Sequence, residues 1–183
     1  MEGLVLIEPK IFEDERGFFF EFFSKRELKK LGIEDEFVQG NHSKSNRGVL
    51  RGLHFQKKQS QGKLVRVLKG AILDVVVDLR KNSKTFSKYY KVELSGKNRK
   101  MIFVPKGFAH GFLTLEDDTE VEYMCTDYYA PEHDSGIVWN DEELNIDWEF
   151  EKYKLERGEI TLSEKDRNQQ SFRKFLESGG DIS

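Results

Sequence analysis

The chain has 183 residues, 30 Lys+Arg against 33 Asp+Glu, a net charge of −3, and 37% hydrophobic residues with fifteen Phe. That length fits one domain with a sizeable core, and the absence of a basic excess excludes non-specific nucleic-acid binding. One cysteine, Cys125, excludes an intrachain disulfide, and neither a signal peptide in "MEGLVLIEPK" nor a membrane-length apolar run is read, so a soluble cytoplasmic protein is expected.

In chain order, the aromatic run "GFFFEFF" (17–23) reads as an N-terminal strand packed on both faces. "SKRELKKLG" (24–32) predicts a helix, with Ser24 as N-cap, Glu27 completing a capping box and Gly32 as the stop. From Val38 to Trp148, short β-rich runs alternate with turn signals: "RGVLRGLHFQ", "KLVRVL", "AILDVVVDLR", "YYKVEL", "KMIFV", "GFLTL" and "TEVEYMCTDYY". "SEKDRNQQSFRKFLESGG" (163–180) repeats the capping device with Ser163 and Asp166. The expected fold is all-β, an antiparallel sandwich or barrel with short peripheral helices. It forms one domain over 1–183: a core of about 38–148, a strand and helix in 1–37, and a helical segment in 163–183.

Strand parity sorts the polar residues, since alternate side chains share a face. Thr119, Val121, Tyr123, Cys125, Asp127 and Tyr129 fall on one side, with Glu120 and Glu122 on the other. Lys63 shares a side with Val65 and Val67, while Asp74 and Asp78 share one with Ile72 and Val76. His54 lies with Leu50, Gly52 and Gln56, opposite Arg51. For both His54 and Arg51 to reach one site, the strand must bulge, and Gly52 is the easiest place. Each residue also has a plain structural reading: a core tyrosine, a snorkelling lysine, a satisfied histidine.

"FVPKGFAHGF" (103–112) contains Pro-x-Gly-x-x-His after a strand, which resembles the second motif of cupins, the small jelly-roll β-barrels. His54-x-Gln56 falls where cupins carry the His-x-His of their first motif. Many cupins bind a metal, but here Gln56 breaks the pair and the following loop "KKQSQGK" is basic, so no metal and no cofactor is expected. His42 or His133 arriving from a loop stays open as a further ligand. A site of His, Lys, Arg and Tyr suits another task, moving a proton on a carbon beside a carbonyl.

The stretches "DERGFFFEFF", "FVQGNHSKSNRGVLRGLHFQ", "QGKLVRVLKGAILDVVVDLR", "VPKGFAHGF" and "TDYYAPEHD" resemble, in order, the dTDP-4-dehydrorhamnose 3,5-epimerase family. That resemblance implies a metal-free cupin homodimer that epimerises C3 and C5 of dTDP-4-dehydro-6-deoxy-D-glucose, with a dTDP-sugar as partner and no nucleic acid or membrane. It implies His54 as base, Asp166 as its dyad partner, Lys63 as the cation near the enolate oxygen and Tyr123 as proton donor. Tyr129 would stack on thymine, and Arg16 and Arg51 would contact the diphosphate. Glu21, Gln39, Asn41, His110, Asp134 and Lys165 fall at other substrate positions, with Asp74 orienting His110. Gly40 departs from the family's frequent Asp, and Asp134 stands where some members have Glu. A C3- or C5-only epimerase, a metal-dependent dioxygenase and a non-catalytic sugar-binding jelly roll are the rival readings. The tail after Asp166 is expected to be an exposed helix or a dimer contact.

Overall fold

The computed structural model describes residues 1–180 and 182. In chain order the elements are β1 (Val5–Ile7), β2 (Phe12–Asp14), β3 (Gly17–Phe19), α1 (Lys25–Lys30), β4 (Gln39–Ser45), β5 (Leu50–Gln56), β6 (Lys63–Lys69) and β7 (Ala71–Asp78). They continue with β8 (Tyr89–Ser95), β9 (Met101–Val104), β10 (Phe108–Thr114), β11 (Thr119–Cys125), β12 (Asp134–Gly136), α2 (Glu164–Arg167) and α3 (Phe172–Glu177).

Two antiparallel five-stranded sheets, ordered β1-β9-β6-β11-β4 and β12-β5-β10-β7-β8, form the body, and β2-β3 is a separate hairpin. The interior between the sheets holds Val65, Val67, Ile72, Val76, Ile102, Val104, Phe112 and Val121. Of these, Val65, Val67, Ile72, Val76 and Val121 come from the strand faces that parity assigned, and Tyr123 packs at their edge. Behind the second sheet, Leu73, Val75 and Val77 pack under Trp148, Leu155, Ile160, Phe172 and Phe175 from the C-terminal segment. That second layer is why all eight residues of β7 are buried, and why its sequence reads as an unbroken apolar run around two aspartates. Behind the first sheet, Leu28 of α1 and Ile33 cover Leu64, Met101 and Phe103.

Three local expectations are corrected. The "GFFFEFF" run does not enter the core: Phe18, Phe19, Phe22 and Phe23 are 56%, 70%, 38% and 38% exposed. A two-stranded hairpin has no opposing layer to bury both faces, and the rings are instead partly covered by cations, with Arg99 3.9 Å from the Phe18 centroid and Arg66 3.6 Å from that of Phe22. The single helix expected over 163–180 is two short ones, because Ser171 starts a new cap by accepting from Lys174 N. Residues 181 and 183 of the expected C-terminal segment lie outside the described residues. Ser24 sits at the N-cap of α1, but its side chain makes no capping bond.

Asp78 closes the far end of β7. Its carboxylate is fully buried and accepts from Arg80 Nε and Nη2 at 2.9 and 2.8 Å, and from Ser83 and Thr85 hydroxyls at 2.6 Å each. Burial alone would raise its pKa; the hydrogen bonds from Arg80, Ser83 and Thr85 overcome this and hold it well below the usual carboxylate range. Asp78→Ala is therefore expected to cost about 3 kcal/mol at neutral pH, measured as a urea-midpoint shift. Since the folded-state pKa is depressed, this stabilisation is complete above the unfolded pKa of ~3.9 and is lost as pH falls below it. The gap between wild type and variant should close on acidification; a gap independent of pH would contradict the ionised assignment.

No helix among the described residues is long and apolar enough to cross a membrane.

Candidate active site

The site begins with an irregularity in β5. Along β10, His110 lies opposite His54 and Phe112 opposite Arg51, so β5 uses three steps where β10 uses two. The extra residue is accommodated at Gly52, whose φ of +125° favours glycine, and where a Cβ would sit 2.5 Å from Gly111 Cα. The bulge resolves the parity conflict. Arg51 and His54 both point between the sheets, while Leu50, Leu53 and Phe55 point to the outer core.

They open into a cavity of about 270 Å³ whose walls also include Lys63, His110, Tyr123, Lys165 and Asp166. His54 comes from β5 in one sheet and Tyr123 from β11 in the other, so imidazole and phenol stand on opposing walls. Lys63, the first residue of β6, has its Nζ 5.9 Å from the Tyr123 ring centroid.

Two histidine–aspartate pairs brace one wall. His54 Nε2 is 2.5 Å from Asp166 Oδ1, and Asp166 Oδ2 accepts from Ser163 Oγ at 2.6 Å. Asp166 N in turn donates to Ser163 Oγ at 3.1 Å. Asp166 thus serves both in the cap of α2, as its third residue bonded to the Ser163 N-cap, and as the partner of His54, because α2 starts against β5. Burial alone would raise the Asp166 pKa, but the His54 and Ser163 hydrogen bonds outweigh it and keep the carboxyl below its ordinary value. The carboxylate fixes His54 with Nε2 as donor, which leaves Nδ1 with a free lone pair. The second pair is His110 Nε2 to Asp74 Oδ2 at 2.8 Å, both buried.

On the opposite side, burial pushes the Lys63 ammonium's pKa down, with Cys125, Asp134 and Asp74 acting against the shift. Burial also pushes the Tyr123 phenol up, with Arg51 opposing. A raised phenol stays protonated at neutral pH, as a proton donor must.

The other expected site residues divide into three groups. Tyr129 follows the end of β11, so strand parity does not extend to it; it is 53% exposed, and its Oη donates to Asp134 Oδ2 at 2.8 Å. Asp134 also pairs with Lys165, which lines the cavity, so the three form a cluster at its mouth. Gln39 and Asn41 share the inward face of β4, bonded to one another at 3.1 Å, and line no part of the cavity wall. Arg16 and Glu21 are away from it altogether. Arg16 is held by Asp14 in the exposed hairpin, and Glu21 lines a separate cleft with Phe22, Leu28 and Leu31. Sequence reasoning missed Ser43 and Ser45. Ser43 lines the cavity, and Ser45 Oγ accepts from Arg51 Nε and Nη2 at 3.2 and 3.1 Å. The available signal was that the alternate positions 39, 41, 43 and 45 of β4 are all polar.

The donor set is a poor fit to a divalent ion. The cavity offers two imidazoles and, among the described residues, no inward-facing carboxylate free of a histidine partner, and Gln56 is bonded to backbone rather than turned into the cavity. Arg51 and Lys63 add positive charge. Among the described residues no group of three or more His, Cys, Asp or Glu is positioned to hold a metal.

A family model described as dTDP-4-dehydrorhamnose 3,5-epimerase matches residues 1–174. The chain belongs to that family. The dTDP-4-dehydrorhamnose 3,5-epimerase of Methanothermobacter thermautotrophicus is 52% identical over 168 residues, covering 92% of this chain and 89% of the relative. The crystal structure of the Legionella pneumophila Philadelphia 1 dTDP-6-deoxy-D-glucose-3,5-epimerase, in complex with dTDP-4-keto-L-rhamnose, superposes with a TM-score of 0.91 at 46% identity. It covers 100% of this chain and 94% of that one. A 3'-monoepimerase from Streptomyces bikiniensis, solved with dTDP-quinovose, matches with a TM-score of 0.89 at 30% identity, covering 100% of this chain and 90% of that one. The cupin-type jelly roll of this epimerase family and its class of chemistry, isomerisation, therefore hold for the chain.

Proposed function

We propose that the protein inverts C3 and C5 of dTDP-4-dehydro-6-deoxy-D-glucose, giving dTDP-4-dehydro-L-rhamnose, with His54, Asp166, Lys63 and Tyr123 as its catalytic residues. The observation that carries this reading is the single cavity with His54 and Tyr123 on opposing walls. His54 takes the proton from the carbon next to the C4 ketone, and the electron pair moves onto the C4 oxygen. The Lys63 ammonium stabilises that enolate; its charged form, disfavoured by burial, is favoured again once the anion arrives. Tyr123 delivers its phenolic proton to the opposite ring face, which inverts the centre. Imidazolium and phenolate return to their starting states by proton exchange with water. Asp166 orients His54 and stabilises its charged form, while Arg51 and Lys165 address the diphosphate.

Two partners complete the reading. Tyr129 presents an open ring at the mouth for the thymine, and the dTDP-sugar is the small-molecule partner. A second copy of the chain supplies what one copy lacks: Arg16 and Glu21, carried near the exposed phenylalanines of the hairpin, would join the cavity of a homodimeric neighbour. Exposed aromatic patches of this kind are typical of interaction surfaces.

The test is the product. Chelator-treated protein mixed with dTDP-4-dehydro-6-deoxy-D-glucose is expected to yield, by proton NMR, a ring inverted at both C3 and C5. Inversion at one centre would favour the monoepimerase reading, and activity restored only by added metal would contradict the proposal.

A further inference from the structure

Residues 127–130, between β11 and β12, carry no regular structure, yet each has one backbone polar atom bonded to a glutamine amide. Gln61 Nε2 donates to Asp127 O at 2.8 Å, and Gln56 Nε2 donates to Tyr128 O at 3.2 Å. Tyr129 N donates to Gln39 Oε1 at 2.9 Å, and Ala130 N donates to Gln56 Oε1 at 2.8 Å. The three glutamines come from the loop before β6, from β5 and from β4. Gln56 is central: it is only 4% exposed and uses both ends of its amide, as a peptide group does in a ladder.

We infer that this clasp, centred on Gln56, positions Tyr129 to receive the nucleobase, so that Gln56 is a positioning residue for nucleotide affinity. The inference rests on the reading of Tyr129 as the base-stacking residue. An exposed tyrosine ordinarily keeps its freedom until a ligand orders it. Here the backbone is held by the glutamines and the hydroxyl by Asp134, while the ring itself stays 53% exposed. The entropy of ordering is thus largely met before binding, which is how preorganisation raises affinity. It also accounts for a polar side chain two residues beyond His54 that takes no place on the cavity wall.

The test compares inhibition by dTDP with inhibition by inorganic pyrophosphate, which lacks the base, in wild type, Gln56→Met, Tyr129→Ala and the double variant. Gln56→Met removes two hydrogen bonds to the segment and is expected to raise the dTDP inhibition constant and the substrate KM about tenfold. The pyrophosphate constant and kcat should move less than about threefold. The double variant should be no worse than Tyr129→Ala alone, since both act through one ring. If Gln56→Met does not fold, Gln61→Met, which removes only the bond to Asp127 O, should show the same selective pattern at about threefold. Equal loss toward dTDP and pyrophosphate, or no loss toward either, would overturn the inference. A Tyr129→Ala protein with unchanged dTDP inhibition would instead sink the stacking reading beneath it.

Discussion

His54→Ala is expected to lower deuterium incorporation at C3 and C5 of the 4-keto sugar by about 10²–10⁴-fold, the range a positioned general base supplies. The geometry makes the loss specific. His54 is held by Asp166 at 2.5 Å with its side chain 30% exposed, whereas the His110 side chain is only 7% exposed and so is poorly placed to replace it. The fold should survive. Asp166 keeps its bonds to Ser163 Oγ and Gly52 N, so the carboxylate is not orphaned, and the stability cost should stay within about 2 kcal/mol. Circular dichroism and a urea midpoint check that condition. Exchange within about tenfold of wild type in a folded variant would remove His54 from the base role.

Tyr123→Phe is expected to separate the two halves of the reaction. Proton abstraction, which depends on His54 and Lys63, continues, so solvent deuterium still enters the substrate. Inversion should fall about 10²–10³-fold, because the opposite ring face has lost its donor. No protein hydrogen bond to Tyr123 Oη is found among the described residues, so the variant leaves no unpaired group behind. The ring also keeps its place at the edge of the apolar interior. Full epimerisation by this variant would end the acid assignment.

How much of this was legible beforehand depends on what each inference rested on. Strand parity placed Tyr123, Lys63 and Asp74 on the interior side correctly, because period-two alternation survives wherever a strand stays regular. It failed at β5, where simple alternation put Leu50 with His54; the bulge at Gly52 separates them, and only the conflict itself pointed to the bulge. It also failed past Cys125, because Tyr129 belongs to a segment held by side-chain amides rather than by a sheet. The dual role of Asp166 was readable as a capping pattern, but its contact with His54 depends on α2 docking against β5, a long-range fact no local pattern contains. The aromatic run misled because composition alone does not distinguish a buried strand from a hairpin that has no second layer. Among the site expectations, Arg16 and Glu21 lie away from the cavity, and Gln39 and Asn41, though on the inward face of β4, line no part of its wall.

Whether an acid and a base act on one sugar ring from opposing walls is decided by proton NMR of wild type, His54→Ala and Tyr123→Phe with dTDP-4-dehydro-6-deoxy-D-glucose in D₂O. Deuterium at both C3 and C5 with inversion is expected in wild type, exchange reduced by at least about 10²-fold in His54→Ala, and exchange with retained configuration in Tyr123→Phe. Inversion without solvent deuterium in wild type, or loss of exchange in Tyr123→Phe as complete as in His54→Ala, would contradict that arrangement.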